Sequence, residues 1–233
     1  MLAVAAVSCV RTVCADENPP EPAPAFTGTV TIATHYLSRG LDISNGPPAP
    51  QAGFEYSNPT GVYVDGYAAK IHYFGMNAEI DGTVGYRGHS GRLIYDWGLY
   101  YYYYPDSDPA LHSNFAELGA KFAWGNGPVT PVLEAYVSNN YFFGAGKSLF
   151  VWGGADFACP AGIIAGARIG YITVEDNRAF IYPDYSTWML SAAKQISSLT
   201  FSLQLTDTSM TRLECTNGDR CAAKLTLKIT KAF

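Results

Sequence analysis

The last segment of the chain alternates strictly between apolar and polar residues. A β-strand places successive side chains on opposite faces, so this period of two predicts a strand with one apolar face and one polar face. The apolar positions are Leu225, Leu227, Ile229 and Phe233, and the polar positions are Lys224, Thr226, Lys228 and Thr230. An apolar face opposite a polar face, ending on an aromatic residue, is typical of the closing strand of a bacterial outer-membrane barrel.

Similar segments recur upstream, and each is near the ten residues that a tilted membrane strand needs. We predict about twelve strands, near 27–39, 50–57, 61–71, 76–87, 91–104, 114–124, 129–139, 147–158, 162–174, 184–196, 199–208 and 222–233. Their connections alternate between short turns and longer loops, with one short link at 72–75. Short periplasmic turns opposite longer outer loops are a property of outer-membrane barrels. The pattern therefore predicts an all-β, transmembrane, antiparallel up-and-down barrel.

Composition agrees with this prediction. Charged residues make up 15% of the 233 residues, and the chain has 17 Tyr and 23 Gly. Soluble proteins average about 25% charged residues. No run of 18 apolar residues occurs, which excludes a membrane-spanning helix. The net charge of −5 argues against a nucleic-acid partner, because such partners bind basic surfaces.

Ionised side chains identify the predicted inner face, because a charge facing lipid costs about 2–4 kcal/mol near the midplane. In the eighth strand this criterion is ambiguous, since Asp156 shares parity with Phe150 and Trp152. Aromatic residues at strand ends predict two interfacial girdles, with Tyr36 in the outer one. The predicted pore-lining residues are Thr29, Thr31, His35, Glu55, Asp65, Glu79, Asp81, Arg87, Arg92, Asp96, Glu117, Lys121, Glu134, Asp156, Arg168, Thr200, Ser202, Gln204, Lys224 and Lys228.

The N-terminus predicts export. Residues 1–15 have a short apolar run and a small-residue cleavage site, although the usual basic start is missing, so we interpret them as a truncated signal peptide. Residues 16–25 are a Pro-rich acidic linker, and 26–233 form the single predicted barrel domain. Cys215 and Cys221 flank one polar turn, which predicts a disulfide in an oxidising compartment, with two free thiols as the alternative. Cys159 is left unpaired.

Other chemistry is weakly supported. A lipid-modifying hydrolase needs a hydroxyl nucleophile beside a histidine. Of the four histidines only His35 falls in a predicted strand, and Ser38 is oddly spaced from it. A metal site is not expected, because Cys215 and Cys221 lack paired C-x-x-C spacing and no histidine is close in sequence. A soluble sandwich or lectin stays open on pattern alone.

Several segments taken in order resemble the TorF-type porin family, bacterial outer-membrane proteins of poorly defined substrate. The opening FTGTVTIATHYLSRGLDIS is similar to the family's first strand and turn, with Tyr36, Arg39 and Gly40 at the matching positions. PAPQAGFEYSNPTGVYV, EIDGTVGYRG, YDWGLYYYYYP and the penultimate hairpin also resemble it. The chain departs at His35, Leu37 and the Cys215–Cys221 loop. The resemblance implies a barrel and passive transport, with no catalytic site.

The sequence thus predicts a porin of the bacterial outer membrane, without cofactor or enzymatic activity, that passes small hydrophilic solutes. The mixed charges of the lumen predict weak ion selectivity, slightly for cations. An outer-membrane enzyme and a plugged structural or adhesive barrel are the alternatives. Expected partners are outer-membrane lipid and the barrel-assembly machinery, which would read the C-terminal strand. The segment 140–146, NYFFGAG, is a candidate constriction or else an ordinary outer loop.

Overall fold

The computed structural model describes residues 25–46, 48–125, 127–215 and 218–233. The predicted signal peptide and all but the last residue of the predicted linker lie outside these residues. Twelve strands of the described chain form one closed antiparallel barrel in sequence order. They are β1 (Ala25–Ala33), β4 (Ala49–Ser57), β5 (Val62–Tyr73), β6 (Met76–Ser90), β7 (Leu93–Tyr103), β8 (Phe115–Trp124), β9 (Val129–Ser138), β10 (Ser148–Cys159), β11 (Ile163–Val174), β12 (Tyr185–Ile196), β13 (Leu199–Thr208) and β14 (Lys224–Ala232). The predicted fold class is confirmed.

The barrel closes where β1 pairs with β14. Thr31 lies opposite Thr230, and their hydroxyl oxygens are 2.8 Å apart on the inner face. Beyond the end of β14, the Phe233 amide donates to the Gly28 carbonyl at 2.9 Å. The last residue of the chain therefore takes part in the seam. Closure leaves no edge strand, which is the condition that a sheet must meet to lie in hydrocarbon.

The two faces of the sheet differ as the alternation predicts. Outward side chains such as Leu99, Leu118 and Ile169 are 57–65% exposed, so the outer surface of the barrel wall is apolar, as contact with lipid requires. Aromatic residues at the short-turn ends of the strands, among them Tyr56, Tyr86 and Trp124, are exposed on the outer surface, as expected for one of the two girdles. The prediction that Tyr36 belongs to the outer aromatic girdle is wrong, because Tyr36 is only 2% exposed and lies inside the barrel.

The first strand is shorter than predicted. It ends at Ala33 rather than near residue 39, and a small hairpin follows, made of β2 (Leu37–Ser38) and β3 (Leu41–Asp42). Seven of the eight residues from Tyr36 to Ile43 are buried. We call residues 35–46 the plug hairpin, because they fold back into the outer half of the barrel instead of extending β1.

Arg39 and Gly40 make the two-residue turn at the tip of the plug hairpin. Both have positive φ, 50° and 90°. Two successive positive φ values are the geometry of the tight hairpin turn that matches strand twist, and glycine adopts it without strain. The Arg-Gly pair that carries part of the family resemblance therefore has a backbone reason.

The remaining connections follow the predicted alternation, with short turns at the end that holds both described chain termini. The predicted Cys215–Cys221 disulfide is present, in the loop between β13 and β14, and Cys159 is a free thiol. No helix within the described ranges is long and apolar enough to cross a membrane. The longest helix there is α1 (Asn177–Phe180).

Candidate functional site

The plug hairpin is held together by the carboxylate of Asp42. Asp42 Oδ1 accepts hydrogen bonds from the Ser44 amide at 3.0 Å and the Ser44 hydroxyl at 2.7 Å, and Asp42 Oδ2 lies 2.8 Å from His35 Nδ1. The Tyr36 amide donates to Ser44 Oγ at 2.9 Å, and the Ile43 amide donates to the Tyr36 carbonyl at 3.0 Å. These bonds satisfy several of the hairpin's polar groups internally, which lowers the cost of burying it inside the barrel.

Arg39 extends from the tip of the plug hairpin into the barrel wall. Its guanidinium forms an ion pair with Glu117 on β8, and both side chains are 4% exposed or less. The rings of Phe150 and Tyr141 lie 4.8 Å and 5.1 Å from its central carbon. The Tyr185 hydroxyl donates to the Arg39 carbonyl at 3.1 Å. A buried pair of this kind makes the hairpin's position specific, because either charge alone would be costly to bury.

Tyr36 makes the second anchor of the plug hairpin. Its hydroxyl donates to Glu79 Oε1 at 2.5 Å, and the Tyr104 hydroxyl donates to Glu79 Oε2 at 2.7 Å. Two phenols therefore satisfy the Glu79 carboxylate. Asp81, two residues along the same face, is buried with neither oxygen hydrogen-bonded to a described residue. This part of the interior is aromatic and acidic.

The loop at 139–147 completes the packing of the outer half. Phe142 lies 5.3 Å from the Tyr104 ring and 5.8 Å from the Tyr73 ring, centroid to centroid, and Tyr141 lies 4.8 Å from the Phe115 ring. Tyr141 and Phe142 are 6% and 5% exposed. The candidate constriction NYFFGAG thus points inward and packs against the barrel wall. Together with the plug hairpin it fills the outer half with aromatic side chains.

The half of the lumen nearer the short turns, which we call the inner half, is lined by charged side chains. Directly opposite residues on four consecutive strands form a row of alternating sign, Arg87, Asp96, Lys121 and Glu134. Arg87 Nε donates to Asp96 at 3.0 Å, and its two terminal nitrogens each donate to Glu55 at 3.2 Å. Cross-strand pairs of opposite charge stabilise a sheet face. The row also gives the lumen surface a nearly balanced charge.

The opposite wall carries fewer charges. Arg168 on β11 donates to Asp156 on β10 at 2.7 Å, so Asp156 faces inward beside Phe150 and Trp152, and the ambiguity of that strand is resolved. Lys228 on β14 is half-buried, and no ion pair reaches it among the residues that the structure places. Between these charges the inner face carries Met189 opposite Arg168, and a row of directly opposite residues, Ser191, Gln204 and Thr226.

Eighteen of the twenty predicted pore-lining residues occupy shielded positions on the inner face of the strands: Thr29, Thr31, Glu55, Asp65, Glu79, Asp81, Arg87, Asp96, Glu117, Lys121, Glu134, Asp156, Arg168, Thr200, Ser202, Gln204, Lys224 and Lys228. Two are placed elsewhere. His35 belongs to the plug hairpin, because β1 ends before it. Arg92 lies in an exposed turn, and its Nε donates to the Gly125 carbonyl of the next turn at 2.9 Å.

Sequence reasoning missed the plug residues Arg39 and Asp42. The signal that could have found them is local: a glycine-containing pair between short alternating runs predicts a tight hairpin, here at the end of the predicted strand 27–39. His35 takes no part in the β1–β14 seam, since Ala33 is the last residue of β1 and pairs with Lys228. Within the described residues, no group of three or more His, Cys, Asp or Glu is placed to hold a metal ion.

Solved structures share this architecture at very low sequence identity. The chain superimposes on the KdgM porin, solved in complex with disordered oligogalacturonate, with a TM-score of 0.62 and 6% identity, covering 89% of this chain and 99% of that one. The NanC porin gives 0.58 and 8%, covering 90% and 99%. An outer membrane channel from Pseudomonas putida F1 gives 0.51 and 10%, covering 94% and 100%. No curated protein matches the sequence.

The closed barrel, its apolar exterior and its polar interior define the class as a transmembrane β-barrel with the fold of the porins. Within that class, residues 17–233 match the model of one family, described as bacterial protein of unknown function (Gcw_chp). The match spans nearly the whole chain, so the protein belongs to the Gcw_chp family.

Proposed function

We propose that the protein is a channel of the bacterial outer membrane, through which small hydrophilic solutes diffuse passively. The observation that carries the proposal is the reversal of polarity across one closed sheet. Lipid-facing positions such as Leu118 are exposed and apolar, while the inward-facing residues of the same strand, Glu117 and Lys121, are charged and shielded. A lumen lined with charge serves a polar solute, and a merely structural barrel does not need it.

The plug hairpin restricts that flux. A barrel of eight strands fills its interior with side chains, and a barrel of sixteen strands leaves a channel. In a barrel of twelve strands, the loops and side chains therefore decide whether a channel stays open. Here the plug hairpin and the 139–147 loop occupy the outer half, while charged side chains line the inner half. We therefore expect a channel that is mostly closed at rest, with small conductance steps when the hairpin moves.

The mixed signs of the lumen support weak ion selectivity. Pores select strongly when one sign of charge surrounds a constriction. In this barrel Arg87 is neutralised by Glu55 and Asp96, and Arg168 by Asp156. Glu79 and Asp81 have no such cationic partner among the described residues, which tilts the outer half towards cations.

Planar-bilayer recording of the purified protein tests the function. We expect small, infrequent conductance steps, and a reversal potential in a salt gradient that indicates a slight preference for cations. The matched variant replaces residues 35–48 by a turn of about three residues, which is feasible because Ala33 and Ala49 are directly opposite in the sheet. This plug-less variant should conduct more. Silent membranes with both proteins, at high load, would refute a channel.

Two finer assignments belong with this proposal. We infer from the ordered sequence resemblance that the chain is close to the TorF-type porins, and from the C-terminal strand that the barrel-assembly machinery inserts it. The competing function is a plugged structural barrel, which the buried plug hairpin favours. The plug-less variant distinguishes a channel from a structural barrel. A structural barrel needs its packed interior for stability, so the variant would become less stable without conducting more.

A further inference from the structure

The outer loop between β13 and β14 reaches across the barrel mouth to the plug hairpin. Arg220 Nη1 donates to the Asp42 carbonyl at 2.9 Å, and its Nη2 donates to the His72 carbonyl at 2.8 Å. Its central carbon lies 5.3 Å from the centre of the Tyr73 ring. Arg220 is only 7% exposed although it comes from an outer loop. One side chain therefore links the plug hairpin to the end of β5.

The chemistry of this link requires arginine. The planar guanidinium directs two separate N–H groups at two carbonyls that come from different segments, which the single ammonium of lysine does not match. No carboxylate of the described residues forms an ion pair with Arg220. Its role is thus to bridge backbone, and the His72 amide adds a parallel bond by donating to the Ile43 carbonyl at 2.8 Å.

The disulfide fixes the position of Arg220. Cys221 is the next residue, it is 1% exposed, and it is joined to Cys215. Thr208 at the end of β13 donates through its hydroxyl to the Cys221 carbonyl at 2.7 Å. Just before the ring, hydrogen bonds from the backbone amide and the hydroxyl of Thr211 to the Glu214 carboxylate lower the pKa of that group. We call Cys215, Arg220 and Cys221 the clasp.

The geometry points to a regulatory role for the clasp: it holds the plug hairpin in the lumen, and its release opens the channel. This inference rests on the proposed function. The disulfide limits the positions of Arg220 to those from which it reaches Asp42 and His72, so an intact ring favours the closed state. A small dithiol breaks the S–S bond, Cys215 and Cys221 become thiols, and the dithiol is oxidised to its cyclic disulfide. Arg220 is then free to leave.

Single-channel recording compares four proteins, each first shown to be a folded barrel by the shift in gel migration between boiled and unboiled samples. They are the native protein, Arg220→Gln, the double variant Cys215→Ser with Cys221→Ser, and Arg212→Gln. Arg212 is the matched control, because it lies exposed in the same loop. We expect Arg220→Gln and the double serine variant to raise the ratio of open to closed time at least tenfold, and Arg212→Gln to leave it unchanged.

Dithiothreitol added to the side of the outer loops supplies the second arm. It should open the native channel to the level of the double serine variant and should have no effect on that variant. If Arg220→Gln and reduced protein both gate like the native protein while the plug-less variant conducts strongly, the clasp is refuted and the channel stands. If the plug-less variant is silent as well, the proposed function itself fails. A native channel already as open as the plug-less variant also refutes the clasp.

Discussion

The ion pair between Arg39 and Glu117 gives the sharpest test of how the plug hairpin stays in place. We consider Arg39→Met, which keeps the alkyl stem against Phe150 and Tyr141 but removes the guanidinium. Arg39 already has a positive φ, and arginine and methionine both carry a Cβ, so the replacement adds no backbone strain. The perturbation is therefore confined to the charge and its hydrogen bond.

The expected magnitude follows from burial. Glu117 is 1% exposed, so the variant leaves its carboxylate buried in the outer half of the lumen without a cation beside it. Removing one partner of a buried pair costs about 3–5 kcal/mol, and the lost cation–π contacts add about 1 kcal/mol. Movement of the hairpin out of the lumen lets water reach Glu117 and relieves this cost. Since about 1.4 kcal/mol is a factor of ten, the open-to-closed ratio should rise by at least about 100-fold.

The double variant Arg39→Met with Glu117→Leu supplies the control. Replacing both charges by apolar groups of similar volume is often neutral, so we expect closure to recover and the coupling between the sites to exceed about 2 kcal/mol. Open probability in planar bilayers measures both quantities. The reasoning is refuted if Arg39→Met gates like the native channel, or if the double variant is as open as the single one.

Three further outcomes are expected. In Gly40→Ala, the added Cβ would lie 2.8 Å from Thr208 Cγ2 at a φ of 90°, which costs more than about 1 kcal/mol in the closed state. The open time should therefore increase, while the shift in gel migration between boiled and unboiled samples stays unchanged. In the plug-less channel, Arg87→Gln leaves Glu55 and Asp96 without their shared cation, and the reversal potential should shift towards cations; an unchanged potential would mean that solutes do not pass this row. Removing Phe233 deletes its backbone pair with Gly28 at the seam, and the folded fraction on refolding should fall, as scored on unboiled gels.

Much of the fold follows from local pattern. Alternation with a period of two assigns each side chain to lipid or lumen, because one residue's shift would turn every charge towards hydrocarbon. The run Tyr100 to Tyr104 shows the rule at work without any change of residue type: Tyr100, Tyr102 and Tyr104 are buried inside the barrel, while Tyr101 and Tyr103 are 50% and 41% exposed. The strand number and the disulfide were predictable for similar local reasons.

The sequence by itself determined the membrane barrel and the inner face, since hydrocarbon tolerates neither unpaired backbone nor charge. Tertiary structure alone decided what fills the lumen. Whether Arg39 extends a strand or enters the barrel depends on Glu117, which is 78 residues away, and the position of Asp42 depends on Arg220, which is 178 residues away. Such contacts form only once the barrel has closed, so the local Arg-Gly pattern can predict the turn of the hairpin but not where the hairpin packs.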